Sequence, residues 1–160
     1  MALTPEQLAT LAADIAADPV LSSLPHTSDG AFEVAAAYNL EAEPAFYVWR
    51  TSVSAQEWRA AIVGGGGATQ LDALTASKRD SLLWAVNDTL NPSVAAIRAA
   101  LDDFCGSQNT LKAAIAAVEK RTANRIEKLC AIGTGSSASP ATLSFEGQVS
   151  YQDIMAAWNS

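Results

Sequence analysis

The sequence predicts an all-α protein, a helical bundle of about five to six helices with a C-terminal extended arm. Three observations carry that prediction. Alanine-rich segments such as "AAIAAVEK" and "AAIRAALDD" favour helix along much of the chain. Apolar residues recur at helical spacing between capping signals. From Gly133 onward the pattern changes to small residues and then to partial alternation. At 160 residues and 49% hydrophobic content, the chain has the length and composition to bury a core. Much of that content is alanine, which buries little area per residue, so the bundle is expected to have a thin core that a neighbour could complete.

The first helix opens on a Thr4 N-cap, with Pro5 in the first turn and Gln7 closing a capping box. Leu8, Leu11 and Ile15 form its stripe, and Asp18-Pro19 ends it. A loop through His26 leads to a second helix capped by Ser28 or Asp29, with Phe32, Ala35 and Tyr38 on one face. Pro44 and the bulky run Phe46–Trp49 read as an extended connector, and Ser54 with Glu57 begins another helix. The glycines at 64–67 mark a turn. Thr75 opens a helix through Leu82, Leu83, Trp84 and Val86, and Asn91-Pro92 opens the next, which stops at Gly106. The longest helix is expected from Asn109 or Thr110 to about Ala131. Its stripe is Leu111, Ile115, Val118, Ile126 and Leu129, with Thr122 the one polar break.

The arm follows. "GTGSSASPAT" has the composition of a flexible linker. "TLSFEGQVSY" alternates in part, as a short strand or hairpin turning at Gly147, and Ser150 with Asp153 starts a short terminal helix. The expected division is therefore a helical domain at 1–132 and a linker with a docking arm at 133–160.

Composition restricts the function. A net charge of −7 argues against general nucleic-acid wrapping, which calls for a concentrated basic surface. No stretch approaches the ~20 apolar residues of a membrane span, and "MALTPEQLATLAADIAADP" lacks the basic and apolar regions of an export signal. The expectation is a soluble chain made in a cytoplasm, with Cys105 and Cys130 reduced and buried.

Catalytic readings find little support. The glycine run is followed by Ala68 and Thr69, not by the lysine and hydroxyl of a phosphate loop. His26 is the single histidine and has no identifiable orienting carboxylate; with two distant cysteines it makes no closed zinc shell. Asp102 and Asp103 diverge by about 100° on a helix, and Glu41 and Glu43 read as a solvated face. No enzyme, metal or cofactor is expected. Two groups suit partner binding. Arg121, Arg125 and Lys128 are at helical spacing and could meet a phosphate or an acidic partner. Phe145, Tyr151, Ile154 and Trp158 are apolar anchors on a tether, suited to insertion into another chain, with docking on the parent domain as the alternative.

Two segments carry a resemblance, "AAAYNLEAEPAFYVWRTSVSAQEWRAAI" and "RTANRIEKLCAIGTGSSASPATLSFEGQVSYQDIMAAWN". Together they cover roughly half the chain. They resemble a family of small proteins from the structural gene modules of tailed bacteriophages, most specifically in "VWRTSV", in Arg121, Arg125, Glu127, Lys128 and Leu129 with the "GTGSSASPAT" that follows, and in "FEGQVSYQD". The resemblance implies a head-to-tail adaptor in the virion neck, assembled in the host cytoplasm. It implies a homo-oligomeric ring, commonly a dodecamer, beneath the portal protein and joined to a tail or nozzle protein. DNA would pass through the lumen without specific binding, and the C-terminal arm would grip the portal or a neighbouring subunit. A tail-completion or head-decoration protein is the alternative within the same virion.

Overall fold

A computed structural model describes residues 2–160. The chain divides into two compact units, unit 1 at residues 1–48 and 122–160 and unit 2 at residues 49–121. The expected division at residue 132 is therefore corrected: both ends of the chain build one unit, and the middle is inserted into it. The all-α expectation is corrected too. Among the described residues nine α-helices accompany a two-stranded antiparallel sheet, which makes the protein predominantly helical with a small strand element.

Unit 1 begins with α1 (Pro5–Ala17). The N–H of Gln7 donates to Thr4 Oγ1 at 3.2 Å, and the Gln7 side chain accepts from the Thr4 N–H at 2.9 Å. Helix α2 (Ser28–Asn39) is capped by Thr27, one residue before the expected cap. The connector becomes β1 (Tyr47–Trp49), whose aromatic and β-branched residues suit a strand. The chain passes from unit 2 back into unit 1 within β2 (Lys120–Thr122), continues through α8 (Arg125–Cys130) and ends in α9 (Tyr151–Trp158).

The long helix expected over 109–131 is not present. The apolar stripe continues in sequence, but Ile115 belongs to the core of unit 2 and Ile126 to that of unit 1. Thr122 and Asn124 interrupt it. Asn124 accepts from the Glu127 N–H at 2.8 Å and starts a new helix with a reciprocal capping box.

The segment 133–142, expected to be a flexible linker, is bound to β1. The Tyr47 N–H donates to the Gly135 carbonyl at 2.7 Å, and the Tyr47 carbonyl accepts from the Ala141 N–H at 2.9 Å. Gly135 has φ +64, and a Cβ there would lie 2.0 Å from Cε2 of Phe46. Glycine is required twice at this position, for the backbone and for the ring covering it. Gly135→Ala is expected to lower stability by about 2 kcal/mol, measurable as a shift in the urea midpoint. An unchanged midpoint would show that Phe46 is not fixed there.

Unit 2 contains α3 (Ala55–Gly64), α4 (Ala68–Asp72), α5 (Ala76–Ala85), α6 (Ala95–Cys105) and α7 (Asn109–Val118). The Ser54–Glu57 capping box and the Thr75 cap form as the sequence predicts. Asn91-Pro92 does not open α6: Asn91 Oδ1 accepts from the Ser93 N–H at 2.9 Å in a turn, and the helix starts at Ala95. Helix α3 packs on α7, with Gly65 so close that a Cβ would meet that of Ala114 at 2.6 Å. Trp58, Leu82, Leu101, Leu111 and Ile115 centre the core. Cys105 and Cys130 are buried and free.

Candidate interaction surfaces

The arm anchors fall into two groups. Phe145 and Ile154 are buried in the core of unit 1 with Leu11, Ile15, Val34 and Tyr38, so α9 packs on α1 and α2 of its own chain. Insertion of these two residues into another chain is corrected accordingly. The physical reason is the alanine content of α1 and α2, which leaves a shallow face that larger side chains fill. Tyr151 and Trp158 remain half-buried at the rim. Tyr151 stacks on Phe32 with centroids 4.4 Å apart, and Trp158 stacks on His26 at 4.3 Å.

Polar clasps fix the arm. Asn39 binds Val149 twice, its side-chain amide donating to the carbonyl and its Oδ1 accepting from the N–H, both at 2.9 Å. The Gly147 N–H donates to Glu127 Oε1 at 3.0 Å, and its carbonyl accepts from the Asn124 side chain at 2.8 Å. Asn39 and Glu127 were not singled out by spacing. Their signal was the pair of polar side chains beside apolar helix faces, each able to satisfy an extended backbone.

The basic group does not share one helix face. Arg121 lies on β2, whereas Arg125 and Lys128 lie on α8. Arg125 bridges Asp14 at 3.0 Å and Asp18 at 3.1 Å, and its guanidinium sits 4.4 Å from the centroid of Tyr38. Tyr38 donates to Asp14 at 2.5 Å; burial raises its pKa, and that hydrogen bond raises it further. The Asp18 carboxyl is held below its usual range by the N–H groups of Leu21 and Val20, and then by Arg125. Arg125 thus ties α8 to α1 and α2, which spends much of its capacity to bind a partner.

Beside this ion pair unit 1 has an open cleft of about 880 Å³. Ala37, Leu40, Ala42 and Leu129 supply apolar surface, and Asp14, Asp18, Glu41 and Glu43 supply carboxylates, against Arg125 and Lys128. Lys128 lies 6.0 Å from the Phe46 ring centroid.

Unit 2 exposes a second surface, at α5. Leu82 and Val86 enter the core, which turns Leu83 and Trp84 outward, and Trp84 is 81% exposed. Two apolar grooves border this helix end, of about 410 Å³ beside Trp84, Ile97 and Phe104 and about 260 Å³ beside Val63 and Leu83. The sequence contained the signal: three consecutive large apolar residues sweep about 200° of a helix, so not all of 82–84 can face one core.

His26 is committed to its stack on Trp158. Asp102 pairs with Lys112 at 2.8 Å and Asp103 with Lys78 at 3.2 Å. Among the described residues no three His, Cys, Asp or Glu side chains are grouped to hold a metal, and no helix is long and apolar enough to cross a membrane. The chain matches no protein-family model, no curated protein and no solved structure.

Proposed function

We propose that this chain is a structural protein of a tailed-phage virion, a head-to-tail adaptor in the neck. In this reading, copies made in the host cytoplasm assemble as a ring, a dodecamer on the family pattern, beneath the portal. The ring joins the portal to a tail or nozzle protein, and its role is structural rather than enzymatic. The observation that carries the reading is the way the resembling segments are used. "AFYV" is bound to "GTGSSASPAT" through Tyr47, Gly135 and Ala141, and the "FEG" turn is held at Gly147 by Asn124 and Glu127. Much of the resembling sequence thus builds the framework of unit 1, and "WRTSV" continues it into unit 2, where Val53 lies in the core.

Charge supports the reading as well. Unit 1 has ten carboxylates and only two basic residues, a net −8, whereas unit 2 has eight basic and seven acidic residues, a net +1. An acidic unit lining a channel would let DNA slide past without adhering.

Native mass spectrometry of the full chain, alone and with the portal protein of the same phage, tests the proposal. A ring-sized species bound to portal is the expected result. A chain that ignores portal but binds capsid or tail tube would overturn the adaptor reading in favour of a decoration or tail-completion role.

A further inference from the structure

The two exposed surfaces described above are complementary to each other. In unit 2 the end of α5 presents an apolar knob bordered by the two grooves, with Trp84 (81% exposed) beside one and Leu83 (44%) with Val63 (69%) beside the other. Arg59 lines the groove between Val63 and Leu83 and is steadied by Asn87, while Arg79 lies one turn before Leu83 and reaches Asp80 only at 4.0 Å. In unit 1, Leu40 stands 67% exposed in the cleft, and the exposed Glu41 and Glu43 border it. Asp14 and Asp18 are already paired with Arg125.

We propose that the α5 knob of one copy seats in the unit 1 cleft of a second copy, with Arg59 and Arg79 facing Glu41 and Glu43. The contact is heterologous, so each copy keeps one knob and one cleft for the next, and repetition builds a ring when the rotation closes. The ring itself rests on the adaptor reading; the pairing of the two surfaces does not.

Charge selects this pairing. Unit 1 against unit 1 sets −8 against −8, whereas unit 2 brings a net +1 with two arginines at the knob. Size agrees as well. The three knob residues expose roughly 400 Å² of apolar surface, close to the apolar half of the ~800 Å² that each partner gives to a standard interface. A cleft of about 880 Å³ has room for an indole.

Two full-length variants test the proposal. Trp84→Glu removes the knob and Glu41→Lys with Glu43→Lys inverts the cleft, all at exposed positions, so both variants should melt with the wild type. They are compared by sedimentation velocity, alone or on portal, in whichever setting the wild type forms multimers. Each variant alone should stay monomeric, with the Trp84→Glu dissociation constant weakened by about 30-fold, the hot-spot scale. Their equimolar mixture should form a heterodimer that grows no further, because one knob and one cleft survive. Added salt should weaken it. Variants that multimerise like the wild type, a mixture that stays monomeric, or a wild type monomeric in both settings would overturn the pairing. Portal binding with unaffected variants would sink the pairing and leave the adaptor reading intact. Knob-dependent multimers that ignore portal would do the reverse.

Discussion

A chain ended after Leu143 is expected to lose the fold of unit 1, not merely a grip on a partner. The deletion removes Phe145, Val149 and Ile154, all buried in the unit 1 core. Burying a side chain of this kind stabilises by roughly 1.5–3 kcal/mol, or about 5–9 kcal/mol for the three. Whole domains are stable by only about 5–15 kcal/mol. The deletion also strips Asn39 and Glu127 of the backbone groups they bind at 149 and 147, and Glu127 is almost fully buried. Hydrogen exchange should show the amides of α1 and α2 losing protection, with aggregation as exposed Leu11 and Val34 find one another. A truncated chain that keeps native protection in both helices would refute this account.

A full-length counterpart separates folding from docking. Ile154→Asp sets a carboxylate among Leu11, Val34 and Tyr38 and should cost about 3–5 kcal/mol, the scale of an uncompensated buried charge. Loss of assembly on truncation would therefore say nothing about whether the arm touches a neighbour. That question belongs to the exposed edges of Tyr151 and Trp158, where a change can leave the core intact.

The parts of the fold legible in the sequence were those decided within three or four residues. The boxes at Thr4–Gln7, Ser54–Glu57 and Ser150–Asp153 form as written because the cap, its acceptor and the helix share one turn. The same grammar at Asn124–Glu127 was hidden by a periodic stripe that two different cores happen to share. The destination of the arm was not legible. Small residues in "GTGSSASPAT" mark either a loose tether or a close approach, and only Phe46 over Gly135 decides which. The exposure of Trp84 was only half legible, for a related reason. Helical spacing assigns a residue to a face, but which face is buried depends on α3 and α6, which are distant in sequence.

Unit 2 is expected to lose stability as pH rises from about 4.5 to about 7, and Glu119 is the cause. Glu119 is only 6% exposed at the C-terminal end of α7, where the helix dipole also disfavours a negative charge. It borders a small cavity of about 50 Å³ with Arg98, Asp102, Cys105 and Lys112. Arg98 is largely engaged elsewhere, donating to the carbonyls of Pro92 and Ser93 and lying 4.0 Å from the Trp49 centroid. Burial pushes the Glu119 carboxyl up to about 7 from an ordinary 4.5; Arg98 and Lys120 oppose the shift and Asp102 adds to it. The folded state therefore holds this proton more tightly than the unfolded chain does. The resulting stabilisation is complete below about 4.5 and gone above about 7, and at 1.36 kcal/mol per unit it is worth about 3 kcal/mol. Glu119→Gln, which resembles the protonated acid, should match the wild type near pH 4.5 and exceed it by about that amount at pH 8. Tryptophan fluorescence is the suitable probe, since Trp49, Trp58 and Trp84 all lie in unit 2. Urea midpoints for the two proteins should diverge as pH rises; parallel midpoints would mean that Glu119 is solvated and titrates like any surface carboxylate.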